Sequence, residues 1–330
     1  MANEIIGASK YLVMADEAQW GIGGAGSGSG FGSGSGGFAG TYYYIQVTDY
    51  NVRFRPENRQ ANPYIGIFQR ANSKNFRGMP SGQLILPCYG FHAASMTTSI
   101  MQYLMDWAFQ SHEVIALPSK LAQWAEGPNV ANKQHNGLRV NGCTFAGSSD
   151  DGQITTTFDL MGQSESGNSV VTPLQAIPNS QNKIVQCEFS DASFQLAGVP
   201  ILLSNFQVQI QNGLKVEYLN SFTPLLLLKT QRILTVQMTP IKNSDTYDAY
   251  NRATTMTEFT GQINWKGLHN GTGTGGTNWA TGQMLFNRLS FLNADTQGAK
   301  EDIDKQPLQM VALKPDTANN DVTLTWGESA

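Results

Sequence analysis

Residues 203–238 read LSNFQVQIQNGLKVEYLNSFTPLLLLKTQRILTVQM, and the stretch decides the fold class. Within and around it, VPILLSNFQVQI (199–210), LKVEYL (214–219) and ILTVQM (233–238) have the β-branched and aromatic content of strands. Downstream, SDTYDAYNRAT (244–254) places Tyr247, Tyr250 and Ala253 on one helical face. The strands FTGQINW (259–265), MLFNRLSFL (284–292), LQMVALK (308–314) and VTLTW (322–326) follow it. Strands thus run before and after one helix without strand–helix alternation. That order excludes a doubly wound parallel sheet and predicts an antiparallel sandwich or barrel with a helix packed on it.

Upstream the same order occurs. TYYYIQVT (41–48), YNVRF (50–54), PYIGIF (63–68) and QLILPC (83–88) read as strands. SMTTSIMQYLMDWAF (95–109) reads as a helix, with Ser95 at its N-cap and Met96, Ile100, Leu104 and Trp107 at helical spacing. Residues 111–136 carry no regular pattern, and LRVNGCTF (138–145) and QITTTFDL (153–160) are strands joined through SSDDG. YIGIF at 64–68 and YLNSF at 218–222 are offset by 154, which sets Val52 and Phe54 against Phe206 and Val208. The strands before the helices start at 83 and 233, those after them at 138 and 284, for offsets of 150 and 146. A slowly drifting offset indicates two copies of one unit. The expected architecture is mainly β, with two tandem antiparallel β-sandwich or barrel domains, each with one α-helix. The boundaries are an N-terminal segment and arm over 1–40, a first domain over 41–162, a polar linker over 163–182 containing Pro173 and Pro178, and a second domain over 183–330.

The arm contains GIGGAGSGSGFGSGSGGFAG (21–40), too poor in apolar surface to offset the entropy of ordering its backbone. Phe31 and Phe38 are superfluous in a plain spacer and could anchor the arm on another surface. Only 14% of the 330 residues are charged, with 25 acidic against 21 basic, for a net charge of −4. That balance excludes a strongly basic nucleic-acid reader. So polar yet weakly charged a surface suits a chain that packs against identical neighbours. No apolar run approaches the ~20 residues of a membrane span, and the opening MANEIIGASKYLVMADEAQW lacks the basic and apolar regions of a secretory signal. Cys88, Cys143 and Cys187 are odd in number and far apart, as expected of reduced core thiols in a cytoplasmic chain.

Chemical motifs are weak. Gly21, Gly23 and Gly26 satisfy GxGxxG, but more Gly and Ser follow where a dinucleotide site needs a helix. His92, His112, His135 and His269 are isolated, and Cys88 with His92 lacks a second metal-binding pair. No nucleophile elbow or triad spacing is present. Asp150-Asp151 reads as a solvated hairpin tip, and Asp302 and Asp304 as a charged loop. Tyr42, Tyr43 and Tyr44 could stack on bases, but only Arg53 and Arg55 lie near them. The chain is therefore expected to be non-enzymatic, with no cofactor and no metal.

The segment 203–238, the strands NGLRVNGCTF and QITTTFDLMGQSE with their Ser-Asp-Asp-Gly turn, and the opening IIGASKYLVMADEAQWG resemble the major tail tube proteins of long-tailed, siphovirus-like bacteriophages, in the variant with two fused tube domains. The resemblance implies trimeric, pseudo-sixfold rings that stack into a tube conducting double-stranded DNA. It implies a virion tail location after assembly in the bacterial host cytoplasm. Tape-measure, tail-terminator and distal tail proteins are the implied partners, with no membrane. The expected self-assembly contacts are Ile5, Ile6, Tyr11, Leu12, Trp20, Phe31 and Phe38, and the expected lumen or loop acids are Asp150, Asp151, Asp302 and Asp304. The alternatives are another self-assembling virion component, a capsid or tail protein, or a β-rich binding module or enzyme. A capsid protein should show one long spine helix, and a module or enzyme a pocket of convergent polar groups.

Overall fold

A computed structural model describes residues 11–17, 20, 42–45, 47–60, 73–91, 100–109, 118–125, 132–168, 184–241, 255, 257–266, 279–294, 305, 307–314 and 320–329. The first half runs β1 (Tyr11–Asp16), β2 (Tyr42–Ile45), β3 (Asp49–Tyr50), β4 (Arg53–Gln60), β5 (Ser73–Pro87), β6 (Tyr89–Phe91), α1 (Ile100–Ala108), β7 (Lys120–Ala125), β8 (Asn132–Ser148), β9 (Ile154–Met161) and β10 (Ser164–Asn168). The second runs β11 (Ile184–Gln186), β12 (Ser193–Leu196), β13 (Val199–Ile201), β14 (Leu203–Gln211), β15 (Leu214–Glu217), β16 (Leu226–Lys229), β17 (Ile233–Pro240), β18 (Phe259–Lys266), β19 (Trp279–Ala294), β20 (Leu308–Ala312) and β21 (Val322–Ser329). The protein is mainly β with antiparallel sheets, consistent with the expected sandwich. Ser95, PYIGIF and the 244–254 helix lie outside the described residues.

Strand pairing repeats. In the first half β1 lies between β2 and β7, β7 and β10 flank the first part of β8, and β9 bridges the second part of β8 to β5. In the second half β12 lies between β13 and β18, β18 and β21 flank the first part of β19, and β20 bridges the rest of β19 to β17. β3 on β5 then corresponds to β14 on β17. Two features depart from the sequence expectations. The stretch read as irregular over 111–136 contains β7 and the start of β8, because KLAQWA buries Leu121 and Ala122 together with Gln123 and so hides the usual two-residue alternation. The pairing ladders also match Tyr50, not Phe54 or Val52, to the second half. Tyr50 faces Leu84 where Ile210 faces Leu234, an offset of 160.

The Gly/Ser stretch has a clear topological address. β12 turns into β13 through Ala197-Gly198, whose φ values of 51° and 80° are those of a two-residue type I′ hairpin turn. β1 and β2 pair in the same way, but residues 17–41 connect them. Residues 21–40 fall between these strands in the sequence and lie outside the described residues, and β1 is part of the first sheet rather than of an arm preceding it. Similarly, the expected linker opens with β10, which pairs with β8 over Ser164–Asn168. Residues 169–182 lie outside the described residues.

One buried cluster spans both halves. Phe145 on β8 is fully buried, with ring centroids 5.5 Å from Phe206 and 5.0 Å from Trp265. Helix α1 buries Ile100, Met101, Leu104, Met105 and Trp107 on the same core. Its far side is tied to β7: Lys120 Nζ lies 3.3 Å from the Tyr103 ring centroid and donates to Asp16 Oδ1 at 2.6 Å. Burial of this ammonium, opposed by Asp16, lowers its pKa to about 8.

Because Phe145 joins the halves, Phe145→Ala should destabilise a single cooperative unfolding transition by about 3–5 kcal/mol, measured in denaturant. Two separate transitions, with only one displaced, would refute the shared core. Lys120 gives a pH signature. Below pH 8 it is charged folded and unfolded; between about 8 and its ordinary 10.5 the folded state releases the proton first. Stability should therefore rise with pH from this group, by at most about 1.4 kcal/mol per pH unit. Cys88 and Cys143, raised by burial above their ordinary 9.0, and Tyr50, raised above its ordinary 10.0, act in the opposite direction as pH climbs past those values. Wild type should gain stability relative to Lys120→Met between pH 8 and 10, read from the difference between their denaturant midpoints; a constant difference would refute the assignment.

Candidate functional site

β14 of the second half adds to the edge of β8 in the first, from Asn205 opposite Ser148 to Gln211 opposite Gly142. The sheet consequently runs unbroken through β5, β9, β8, β14, β17, β20 and β19. One face enters the core, with Leu84, Phe158, Phe145, Val208, Val236 and Met310 at 0% exposure. The alternate residues form the opposite face. There Ala146 pairs with Gln207, Gln207 with Gln237, Gln237 with Gln309, and Gln309 with Asn293. Thr144, Thr155, Thr157, Gln209 and Thr235 continue this polar surface. Asp159, which accepts a hydrogen bond from Gln83 Nε2 at 2.9 Å, is its charged member in β9. A groove on this face is lined by Ser148, Asp151, Asn205, Gln207, Gln237 and Gln309 among others.

Two asparagines close the junction between halves. Asn212 is fully buried and donates through Nδ2 to Val140 O at 3.1 Å and to Ala108 O, at the end of α1, at 3.3 Å. Asn141 accepts from Asn212 N and Leu214 N through its backbone and side-chain oxygens. Arg139 Nη1 donates to Leu227 O on β16. Farther out, Phe222 stacks on Phe54 at 5.9 Å and its carbonyl accepts from Gly78 N at 3.0 Å, so the β15–β16 hairpin rests on the β4–β5 hairpin. β6 with β11 adds a third inter-half contact. Sequence reasoning missed Asn141 and Asn212, since an asparagine beside Gly142 or Gly213 reads simply as a turn.

The expected contact residues separate into groups. Leu12 is fully buried in the chain's own core, between β2 and β7. Trp20 packs on its own chain, donating from Nε1 to Gly137 O at 2.9 Å beneath the Arg139 guanidinium. Tyr11 pairs with Ala125. Ile5, Ile6, Phe31, Phe38, Asp302 and Asp304 lie outside the described residues. Asp150 and Asp151 sit at the exposed β8–β9 turn, where Ser148 Oγ donates to Asp151 Oδ2 at 2.8 Å. Exposed apolar side chains gather on and beside the β15–β16 hairpin, at Leu219, Phe222, Leu225, Leu226 and Leu228.

Several titratable groups lie in the interior. Tyr50 Oη and His135 Nδ1 are 2.7 Å apart, and His135 Nε2 lies 3.3 Å from Glu165 Oε2, which also accepts from Phe54 N. The His135 hydrogen bond holds Glu165 below the usual carboxylate range, and burial pushes Tyr50 well up. Cys88 and Cys143 are buried free thiols whose pKa values burial raises, the opposite of an activated nucleophile. Among the described residues no three His, Cys, Asp or Glu side chains gather as a metal site, and no helix is long and apolar enough to cross a membrane. The arrangement is one of sheet surface and sheet edge.

The family model for phage tail tube proteins matches residues 7–324. No curated protein matches the chain. With nearly its whole length covered by that model, the chain belongs to the phage tail tube protein family.

Proposed function

We propose that this protein is the tail tube subunit of a siphovirus-like phage, assembling as trimeric, pseudo-hexameric rings that stack into a conduit for double-stranded DNA. Family membership makes it a structural tail component that self-assembles with other tail proteins in the virion, and points to a non-enzymatic role. The finer reading is supported above all by the sheet that crosses from one half to the other with a polar face. Two similar units per chain, corresponding to tube domains over 41–162 with β1 added and over 183–330, would provide six units from three chains. In the tube, the Gln- and Thr-rich face lines the channel. Each Lys or Arg facing a phosphate would add salt-dependent affinity and hold the cargo; neutral amides and Asp159 avoid that. The 21–40 connection, carrying Phe31 and Phe38, reaches the next ring, and tape-measure, tail-terminator and distal tail proteins meet the tube in the virion assembled in the host cytoplasm.

Electron microscopy of the purified protein at high concentration should show rings or tubes; dispersed monomers without denaturant would overturn the assembly reading. Deleting residues 21–37 should shorten tubes while leaving thermal unfolding unchanged. The channel assignment has its own test. Substituting Gln209, Gln237 and Gln309 by Lys should convert tubes with negligible affinity for duplex DNA into ones that retain it. That retention should fall steeply with salt. Equal DNA binding by wild type and variant would place this face elsewhere than the channel.

A further inference from the structure

We propose that Cys88 and Cys187 are a site of covalent modification, joining as a disulfide between the two halves when the chain meets a peroxide. The pair belongs to the single chain, so it stands or falls independently of ring assembly.

The backbone sets up the pair. β6 and β11 are antiparallel, with Ile184 opposite Phe91, Val185 opposite Gly90 and Gln186 opposite Tyr89. One step further in this register Cys187 stands opposite Cys88, and Cys187 N donates to Cys88 O at 2.8 Å. Residues opposed at a hydrogen-bonded position of an antiparallel ladder have Cα atoms about 5.5 Å apart. Disulfides most often bridge separations of about 5.5–6 Å. Ile154, at the start of β9, holds the same two residues from the side. Cys88 N donates to its carbonyl at 2.7 Å, and its own N–H donates to Cys187 O at 3.3 Å. Three chain segments thus close a triangle of backbone hydrogen bonds with a cysteine at two of its corners.

The side chains meet in the interior. Cys88 and Cys187 are free thiols of the one buried cluster. Burial raises the Cys88 thiol well above its ordinary range, and a hydrogen bond with the Cys187 thiol and the charge on that sulfur raise it further. The two sulfurs are therefore neighbours as well as the two backbones. Cys143 is buried too, but β8 sets it opposite Phe158 on one side and Ile210 on the other. It serves as the internal control.

Buried, protonated thiols react slowly, so the pair stays reduced in a reducing compartment. A peroxide supplies the missing oxidant. One sulfur attacks as the thiolate: an S–O bond forms, the O–O bond breaks, and hydroxide leaves to take up the thiol proton as water. The second sulfur then attacks the resulting sulfenic sulfur; the S–S bond forms, the S–O bond breaks, and a second water leaves. Two electrons pass from the pair to the peroxide. The bond closes a loop of about 100 residues, from β6 through α1, β7, β8, β9 and β10 to β11, and long loops restrict the unfolded chain most. It ties Cys187, near the start of the second half, to the end of β5 in the first.

Treating the full chain with dilute hydrogen peroxide, then denaturing and alkylating it, tests the pair. The 3 free thiols should fall to one, and that one should be Cys143. A non-reducing digest should contain a peptide joined through Cys88 and Cys187, and dithiothreitol should release it. The thermal midpoint of the oxidised chain should rise and return after reduction. Cys143→Ala should form the same linked peptide, and Cys187→Ala should form none and show no rise. Recovery of Cys88 and Cys187 as free thiols or as separate sulfinic acids overturns the proposal, as does a link through Cys143. Both results are read from wild-type protein, so they hold even where a variant does not fold.

Discussion

Backbone hydrogen-bonding groups at a sheet edge must find partners, and the β8–β14 ladder is where this chain satisfies that requirement internally. Seven residue pairs, Asn205–Ser148 through Gln211–Gly142, fuse two half-sheets into one. Everything else about the molecule depends on that junction. It places Phe145 against Phe206, giving the halves a common interior, and it presents one polar surface instead of two. A shorter or misregistered junction would disturb both, because a one-residue slip exchanges the Leu/Val face for the Gln/Thr face.

The junction is reinforced by polar groups that an apolar core alone would not hold in register. Asn212, buried completely, bridges β8 to the end of α1, and so couples strand register to helix position. Losing its amide would leave carbonyls of Val140 and Ala108 short of a donor, a cost of about 1–3 kcal/mol apiece in a buried setting. The buried pair Arg232–Asp321, 2.7 Å apart, is similarly placed, tying the start of β17 to that of β21. Buried ion pairs contribute little net stability, but breaking one is costly, so such groups select one arrangement over its neighbours.

Strand content and order were legible because QVQI, TVQM and TTTFDL alternate across a half-buried sheet. The repeat was legible only through offsets, and one of these misled. Val52 and Phe54 resemble Phe206 and Val208 in type, but backbone pairing sets Tyr50 against Ile210. Side-chain class is the same on every core-facing strand position, so it cannot distinguish neighbouring registers; hydrogen-bond partners can. β7 escaped notice since KLAQWA buries consecutive residues, including Gln123 and Lys120. That the Gly/Ser stretch falls between two paired strands depended on pairing between residues about 30 apart, to which local composition is blind.

That position constrains what the stretch can do. A hairpin connection starts and ends at neighbouring strands, so lengthening it costs only slowly increasing loop-closure entropy. The sheet beneath is unchanged, as the equivalent Ala197-Gly198 turn in the second half demonstrates with two residues. A longer connection in one half than in the other leaves the two strand pairings alike. Strand pairing and connection length can thus vary independently, the first governed by backbone ladders and the second by a single permissive turn.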